Sequence, residues 1–233
     1  MADSDFYHVI DLPGIGPTQG QWDLRARVDD YMGRFDFRGK SVLEIGPASG
    51  FLTMEMEKRG ADVVAVEITD DPGWDFVPFP DVPTPTLDGQ RKHMTRIKNS
   101  WWFVHQTCGL SARLFYGDAY NLPDALGQFD VAMLGCVLTH CRSPVSILEQ
   151  CARRAKAIII TEAYVSELED GRPICLLHPS VENKDWSAWW YFSTTFLVQF
   201  LRVMGFTVGA PLLHVQSYHG VPVPLFTVVG QRG

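Results

Sequence analysis

The run Ser41-Val42-Leu43-Glu44-Ile45-Gly46-Pro47-Ala48-Ser49-Gly50-Phe51 constrains this chain more than any other stretch. A short apolar strand, Ser41 to Ile45, ends in Gly-x-x-x-Gly and passes directly into a helix. That helix is expected from Gly50 to Arg59, with Gly60 closing it where positive φ is tolerated. Glycines let a backbone come close to a ligand, and a helix N-terminus offers free N–H groups. A dinucleotide site prefers Gly-x-Gly-x-x-Gly, so that pyrophosphate can rest against the helix. Here position 48 is Ala, position 51 is the bulky Phe51, and Glu44 inside the strand end is a poor neighbour for pyrophosphate. The run suits a cofactor whose end carries a positive charge, such as an ammonium or a sulfonium.

The remaining chain alternates strands with helices. Strands are expected at Ala61–Glu67, Ala112–Tyr116, Phe129–Leu134 and Ala155–Thr161, and helices at Gln90–His105, Pro144–Arg154 and Ser193–Met204. Phe206–Val215 and Leu225–Val229 read as a terminal hairpin. This order describes an α/β fold, a mostly parallel sheet with an antiparallel hairpin at its end. Ile158, Ile159 and Ile160 in a row fit a sheet covered by helices on both faces. Residues 1–20, rich in Gly and Pro, read as an irregular lead-in. Gln21–Arg34 has Trp22, Arg25, Val28, Tyr31 and Met32 at helical spacing, so residues 1–39 are expected to form an N-terminal lid. Two segments interrupt the alternation. Residues 70–107 open on five prolines (72, 78, 80, 83 and 85), and residues 163–192 hold Trp186, Trp189, Trp190, Tyr191 and Phe192. Insertions of this length tend to be lids or binding loops. One domain over all 233 residues, with both insertions over its active site, is the expectation.

Charge narrows the choice of partner. The 20 Lys+Arg against 27 Asp+Glu leave a formal charge of −7, which repels a polyanion at long range and disfavours a nucleic-acid substrate. The five cysteines form no Cys-x-x-Cys pair, so no zinc site is expected and a reducing compartment, the cytoplasm, fits. No export leader or membrane span is expected either.

Four positions follow strand ends, where open α/β sheets bind ligands. Gly46, Pro47, Ala48 and Gly50 form the first, with Glu44 beneath. Glu67 and Ile68 form the second, 21 positions beyond Gly46, where an acid accepts hydrogen bonds from ribose hydroxyls. Asp118 and Ala119 form the third, suited to an adenine amino group. The fourth is Gly135-Cys136-Val137-Leu138-Thr139-His140.

In this order and spacing the four resemble the class I S-adenosylmethionine-dependent methyltransferases over roughly residues 40 to 162. The resemblance implies a Rossmann-like, seven-stranded sheet and S-adenosyl-L-methionine as cofactor. Gln21-Trp22-Asp23-Leu24-Arg25, the run Val137 to Pro144 and the Trp-rich segment are also similar to the wobble-uridine carboxymethyltransferases of tRNA. That narrower resemblance implies an early helix closing over the cofactor, with Trp22 and Arg25 near it and Arg25 facing its carboxylate. The chain departs from that group in having Pro47 where Gly-Cys-Gly is usual and in lacking a strongly basic surface.

Each position also has a plainer reading. His140 is either a general base for the acceptor, since imidazole titrates nearest neutral pH, or a pocket wall. Glu162 reads as a polar strand terminus rather than a metal or substrate ligand. Of the tryptophans at 74, 101, 102, 186, 189 and 190, at least half are expected to serve packing alone. Arg91, Lys92, Arg96 and Lys98 read as a solvated helix face. The expected activity is methylation of oxygen or nitrogen on a small-molecule acceptor, with no metal. A tRNA-modifying transferase, a nicotinamide-dependent dehydrogenase and a catalytically idle cofactor-binding module are the rivals.

Overall fold

The computed structural model describes residues 3–69, 75–80 and 87–233. In chain order its strands are β1 (Phe6–His8), β2 (Asp11–Leu12), β3 (Gly16–Pro17), β4 (Gly20–Asp23), β5 (Ser41–Ile45), β6 (Asp62–Glu67) and β7 (Arg113–Tyr116). They continue with β8 (Phe129–Gly135), β9 (Ala155–Ala163), β10 (Cys175–Leu177), β11 (Trp190–Phe192), β12 (Thr207–Val208), β13 (Leu212–Tyr218) and β14 (Val221–Gln231). The helices are α1 (Val28–Tyr31), α2 (Phe51–Lys58), α3 (Leu87–Cys108), α4 (Pro144–Arg154) and α5 (Thr194–Val203).

The main sheet runs β1-β4-β13-β14-β9-β8-β5-β6-β7, with β12 also paired to β14. From β9 to β7 every neighbour is parallel, and β14 is antiparallel to both β9 and β13. The expected α/β order is present, but the sheet has ten strands rather than seven. The extra strands come from places where the sequence pattern misleads. Gln21–Arg34 is not one helix: Gly20–Asp23 is a strand between β1 and β13, followed by a 3-10 turn at Arg25–Arg27 and the short α1. Helical spacing arises there because Val28, Tyr31 and Met32 face the core while Trp22 belongs to a different element. The lead-in is likewise ordered, with β1 and the β2–β3 ribbon inside it. Pro211, unable to donate to a ladder, lies in the break that splits the expected strand 206–215 into β12 and β13.

Strand alternation divides the core in two. Leu43, Ile45, Val64, Val66, Leu134 and Ile160 pack with Ile147, Leu148 and Cys151 of α4 and Leu197 and Leu201 of α5. Their neighbours Val42, Val63, Ala65, Val131, Met133 and Ile159 point the other way, onto Phe51 and Met54 of α2 and Trp101 and Val104 of α3. Both faces of β5, β6, β8 and β9 are therefore dry, which explains their largely apolar sequences. No helix among the described residues is long and apolar enough to cross a membrane.

Candidate active site

The strand order reverses between β5 and β8, and a cavity of about 690 Å³ opens above their carboxyl ends. Its floor is main chain. The ladder continues past the strands through Gly46 N–H to Val66 O (3.0 Å), Gly117 N–H to Glu67 O (2.9 Å) and Cys136 N–H to Thr161 O (2.7 Å). Gly46, Ala48 and Cys136, all lining the cavity, hold φ of +69°, +47° and +51°. For Ala48 and Cys136 that conformation carries strain, which persists where surrounding structure enforces it and gathers at functional sites. A Cβ on Gly46 would lie 3.0 Å from Val137 Cγ2, and one on Gly135 would lie 2.8 Å from the Tyr31 hydroxyl. Both glycines thus let a side chain, Val137 or Tyr31, pack closely on the main chain at the mouth of the cavity.

Of the residues singled out in the sequence, Trp22, Gly46, Pro47, Ala48, Glu67, Ile68, Asp118, Ala119, Gly135 and His140 line the cavity. Arg25, Glu44 and Gly50 do not. Arg25, in the 3-10 turn after β4, is held by Asp23 at 2.7 Å and Asp11 at 2.7 Å. Glu44 points under the sheet, where the Thr53 hydroxyl donates to Oε2 at 2.5 Å and Oε1 has no hydrogen-bond partner. Gly50 is the left-handed N-cap of α2, and a Cβ there would sit 3.0 Å from the Trp101 ring. It makes room for Trp101 packing, not for a ligand.

Glu67 is the focal acid. Burial pushes its carboxyl up to about 7, against the opposing pull of the Ile68 N–H, Lys98 and the Ala48 N–H. The Ile68 N–H donates to Oε1 at 2.8 Å. Asp118 closes a turn by accepting the Tyr120 N–H at 2.8 Å. Asp75 supplies a third carboxylate, and no Lys or Arg lines the cavity among the described residues.

The roof was not legible in the sequence. Tyr7 and His8 of β1 reach in from the segment read as irregular, and Ser49 accepts the His8 N–H at 3.1 Å. Burial raises Tyr7 to about 12 and lowers His8 to about 3, so the ring of His8 is neutral and Tyr7 is a protonated phenol at neutral pH. Phe76 and Trp186, one from each insertion, pack at 5.4 Å, and Val77 N–H donates to Trp186 O at 3.0 Å. Asp75 accepts the Tyr120 hydroxyl and the Arg142 N–H (2.8 Å), while the Trp189 indole N–H donates to its carbonyl at 2.5 Å. His140 sits at the edge with Nδ1 at 2.7 Å from the Ser187 carbonyl.

Among the tryptophans, Trp22 and Trp186 line the cavity; Trp101, Trp102, Trp189 and Trp190 do not, and Trp74 lies outside the described residues, as do Pro72, Pro83 and Pro85. Arg96 pairs with Asp5 at 2.8 Å, and the Lys98 ammonium lies 5.0 Å from the centre of the Tyr116 ring. Glu162 is buried outside the cavity lining and accepts the Leu138 N–H at 2.9 Å.

No family model matches the chain, and no curated protein matches it. Solved structures do. The N-terminal domain of EvdMO1, crystallised in the presence of SAH (S-adenosylhomocysteine) and D-fucose, is 18% identical with a TM-score of 0.64, over 98% of this chain and 91% of that one. Magnesium protoporphyrin IX methyltransferase (ChlM) from Synechocystis PCC 6803 with bound SAH is 16% identical, TM-score 0.56, over 90% and 82%. A SAM-dependent methyltransferase from Methanosarcina mazei is 15% identical, TM-score 0.57, over 83% and 92%. These likenesses establish the fold, that of S-adenosylmethionine-dependent methyltransferases.

Proposed function

We propose that this chain is an enzyme that binds S-adenosyl-L-methionine and transfers its methyl group to oxygen or nitrogen of a small-molecule acceptor. The observation that carries the proposal is Glu67, a buried acid at a strand end, in one cavity with Gly46 and Asp118. An acid there accepts ribose hydroxyls, and Asp118 accepts from the adenine amino group, with Ile68 and Ala119 beside the base. Gly46, Pro47, Ala48 and Gly135 leave room for the methionine portion, and Trp22 walls it. A cavity with three carboxylates and no Lys or Arg among its described lining residues suits a sulfonium and an ammonium. Bound there, the cofactor supplies an electrophilic methyl group.

His140 takes the acceptor's proton in this reading. A carbonyl only accepts, so the Ser187 contact puts the ring proton on Nδ1 and leaves the Nε2 lone pair free. The covers that contribute Asp75, Phe76, Trp186 and Ser187 exclude water and align the acceptor. The neighbours support a small acceptor: one was crystallised with D-fucose, and another is named for a porphyrin. The tRNA-modifying carboxymethyltransferase reading is weaker, because Arg25 is engaged by Asp11 and Asp23 and the chain carries −7.

Calorimetry with SAH, followed by transfer of labelled methyl into extracts of the source cell, tests the proposal. Saturable SAH binding and a labelled small molecule are expected. Stabilisation by a nicotinamide cofactor but not by SAH would overturn it, and label recovered in RNA would return the acceptor to tRNA.

A further inference from the structure

We propose that Asp185 is a positioning residue that fixes which nitrogen of His140 carries the proton; the inference rests on the reading of His140 as the base. Asp185 Oδ1 gathers three donors: the Ser187 N–H at 2.8 Å, the Ser187 hydroxyl at 2.8 Å and the Ala188 N–H at 3.2 Å. Three bonds to one oxygen fold residues 185–188 into a tight turn, the local arrangement for which Asp is suited. That turn presents the Ser187 carbonyl 2.7 Å from His140 Nδ1. The other carboxylate oxygen is held as well, by His178 Nε2 at 3.1 Å, and the His178 ring packs on Tyr191 at 4.5 Å. Asp185 is therefore tied at both oxygens.

The opposite side of His140 is equally constrained. The 3-10 turn Leu138–His140 has no side-chain cap of its own, and the buried Glu162 carboxylate accepts its Leu138 N–H at 2.9 Å. Trp189 N–H donates to Thr139 O at 2.8 Å, and the Thr139 hydroxyl donates to Trp190 O at 2.9 Å. The turn bearing His140 and the segment bearing Ser187 are thus stitched together beside the ring contact, through both the carbonyl and the hydroxyl of Thr139. With the backbone held, the ring's tautomer follows from where the Ser187 carbonyl points, and Asp185 decides that. Proton abstraction needs a bare nitrogen toward the acceptor, so a ring with its proton on Nε2 cannot act as the base in this pose.

Ring 15N shifts of histidine-labelled protein test this, measured with SAH present at a pH where imidazole is neutral, the signals of His140 assigned by their loss in His140→Ala. The wild type should show Nδ1 protonated and Nε2 bare. Asp185→Ala should lose that preference, shifting both ring nitrogens toward exchange-averaged values. Asp185→Asn, whose side-chain oxygen can accept the same N–H groups, should retain it. SAH affinity should stay within about twofold in both, showing an intact fold. A wild-type ring protonated on Nε2 overturns the proposal without any variant, and so do wild-type shifts in Asp185→Ala. The base reading fails separately: if His140→Ala transfers labelled methyl at the wild-type rate, His140 is no base, whatever tautomer its ring holds.

Discussion

The two walls of the cavity are built by different means. The wall formed by Gly46, Glu67, Asp118 and Gly135 consists of strand ends, and its shape comes from main-chain ladder bonds such as Gly117 N–H to Glu67 O. The facing wall draws on residues 7–8, 22–31, 75–76, 93–97 and 186–187, which are far apart in the chain. Side chains fix it: Asp75 with Tyr120, Phe76 with Trp186, Ser49 under His8. Changing Glu67 or Asp118 on the first wall alters its chemistry and leaves its main-chain shape. A change on the second alters the shape itself. A fold divided this way can keep one cofactor and exchange acceptors, because the exchangeable surface lies outside the sheet.

The largest expected effect tests the first wall. Glu67→Ala should weaken SAH binding roughly 10- to 100-fold by calorimetry, since a hydrogen bond to a charged group contributes about 1.5–3 kcal/mol. Thermal stability without ligand should not fall, because an acid held near 7 by burial is itself costly when ionised. An affinity loss below about threefold would remove Glu67 from the sugar and would leave the strand-end wall without a function of its own.

The next effect comes from proton linkage at the same residue. A ligand whose hydroxyls donate to Glu67 prefers the ionised carboxylate, and in the free protein that form dominates only above about 7. SAH carries no group that titrates between pH 5 and 8. Its affinity should therefore rise about tenfold per pH unit up to roughly 7 and then level off. Glu67→Gln should abolish the slope. Stability without ligand should run the opposite way. Glu44 and Glu162 are each pushed to about 8 by burial, so the folded state holds more protons than the unfolded one above the ordinary carboxyl range. Their contribution is complete below that range and is lost as pH rises toward 8, whereas the buried His8 and His214, held at about 3 and about 4, oppose this slope only below their ordinary value of 6.5, so Tm without SAH should fall between pH 6.5 and 8. A flat SAH affinity between pH 5 and 8 would contradict the burial of Glu67 or its contact with the ligand.

The same division governs what could be read from the sequence. Strands β5, β6, β8 and β9 are legible because both faces are dry and most of their residues are apolar, and their ends follow directly. Glu67 and Gly135 stand at the ends of β6 and β8, and Asp118 just after the partly exposed β7. Tyr7 and His8 are hidden, because β1 is three residues long and is ordered by distant partners: β4, Ser49 beneath His8, and Phe103 of α3 against Phe6. Nothing local marks Asp75 or Ser187 either; their place depends on two insertions meeting. Arg25 failed for a related reason. The spacing puts Trp22 and Arg25 on one helical face, whereas Trp22 belongs to β4 and lines the cavity and Arg25 belongs to the 3-10 turn after it, held by Asp23 and Asp11.

Arg25 accordingly yields the smallest expected effect. Its guanidinium bonds Asp23 at 2.8 and 2.7 Å and Asp11 at 2.7 Å, on a side chain about one-third exposed. Exposed ion pairs contribute about 0–1 kcal/mol, and this cluster ties β4 to the β2–β3 ribbon without touching the cavity. Arg25→Ala should lower Tm slightly and leave SAH affinity within about twofold. If it instead cost tenfold or more in affinity, Arg25 would have to leave both aspartates and reach the cofactor carboxylate on binding. The N-terminal strands would then be part of a moving cover, and the wall fixed by side chains would be shaped by the ligand rather than before it.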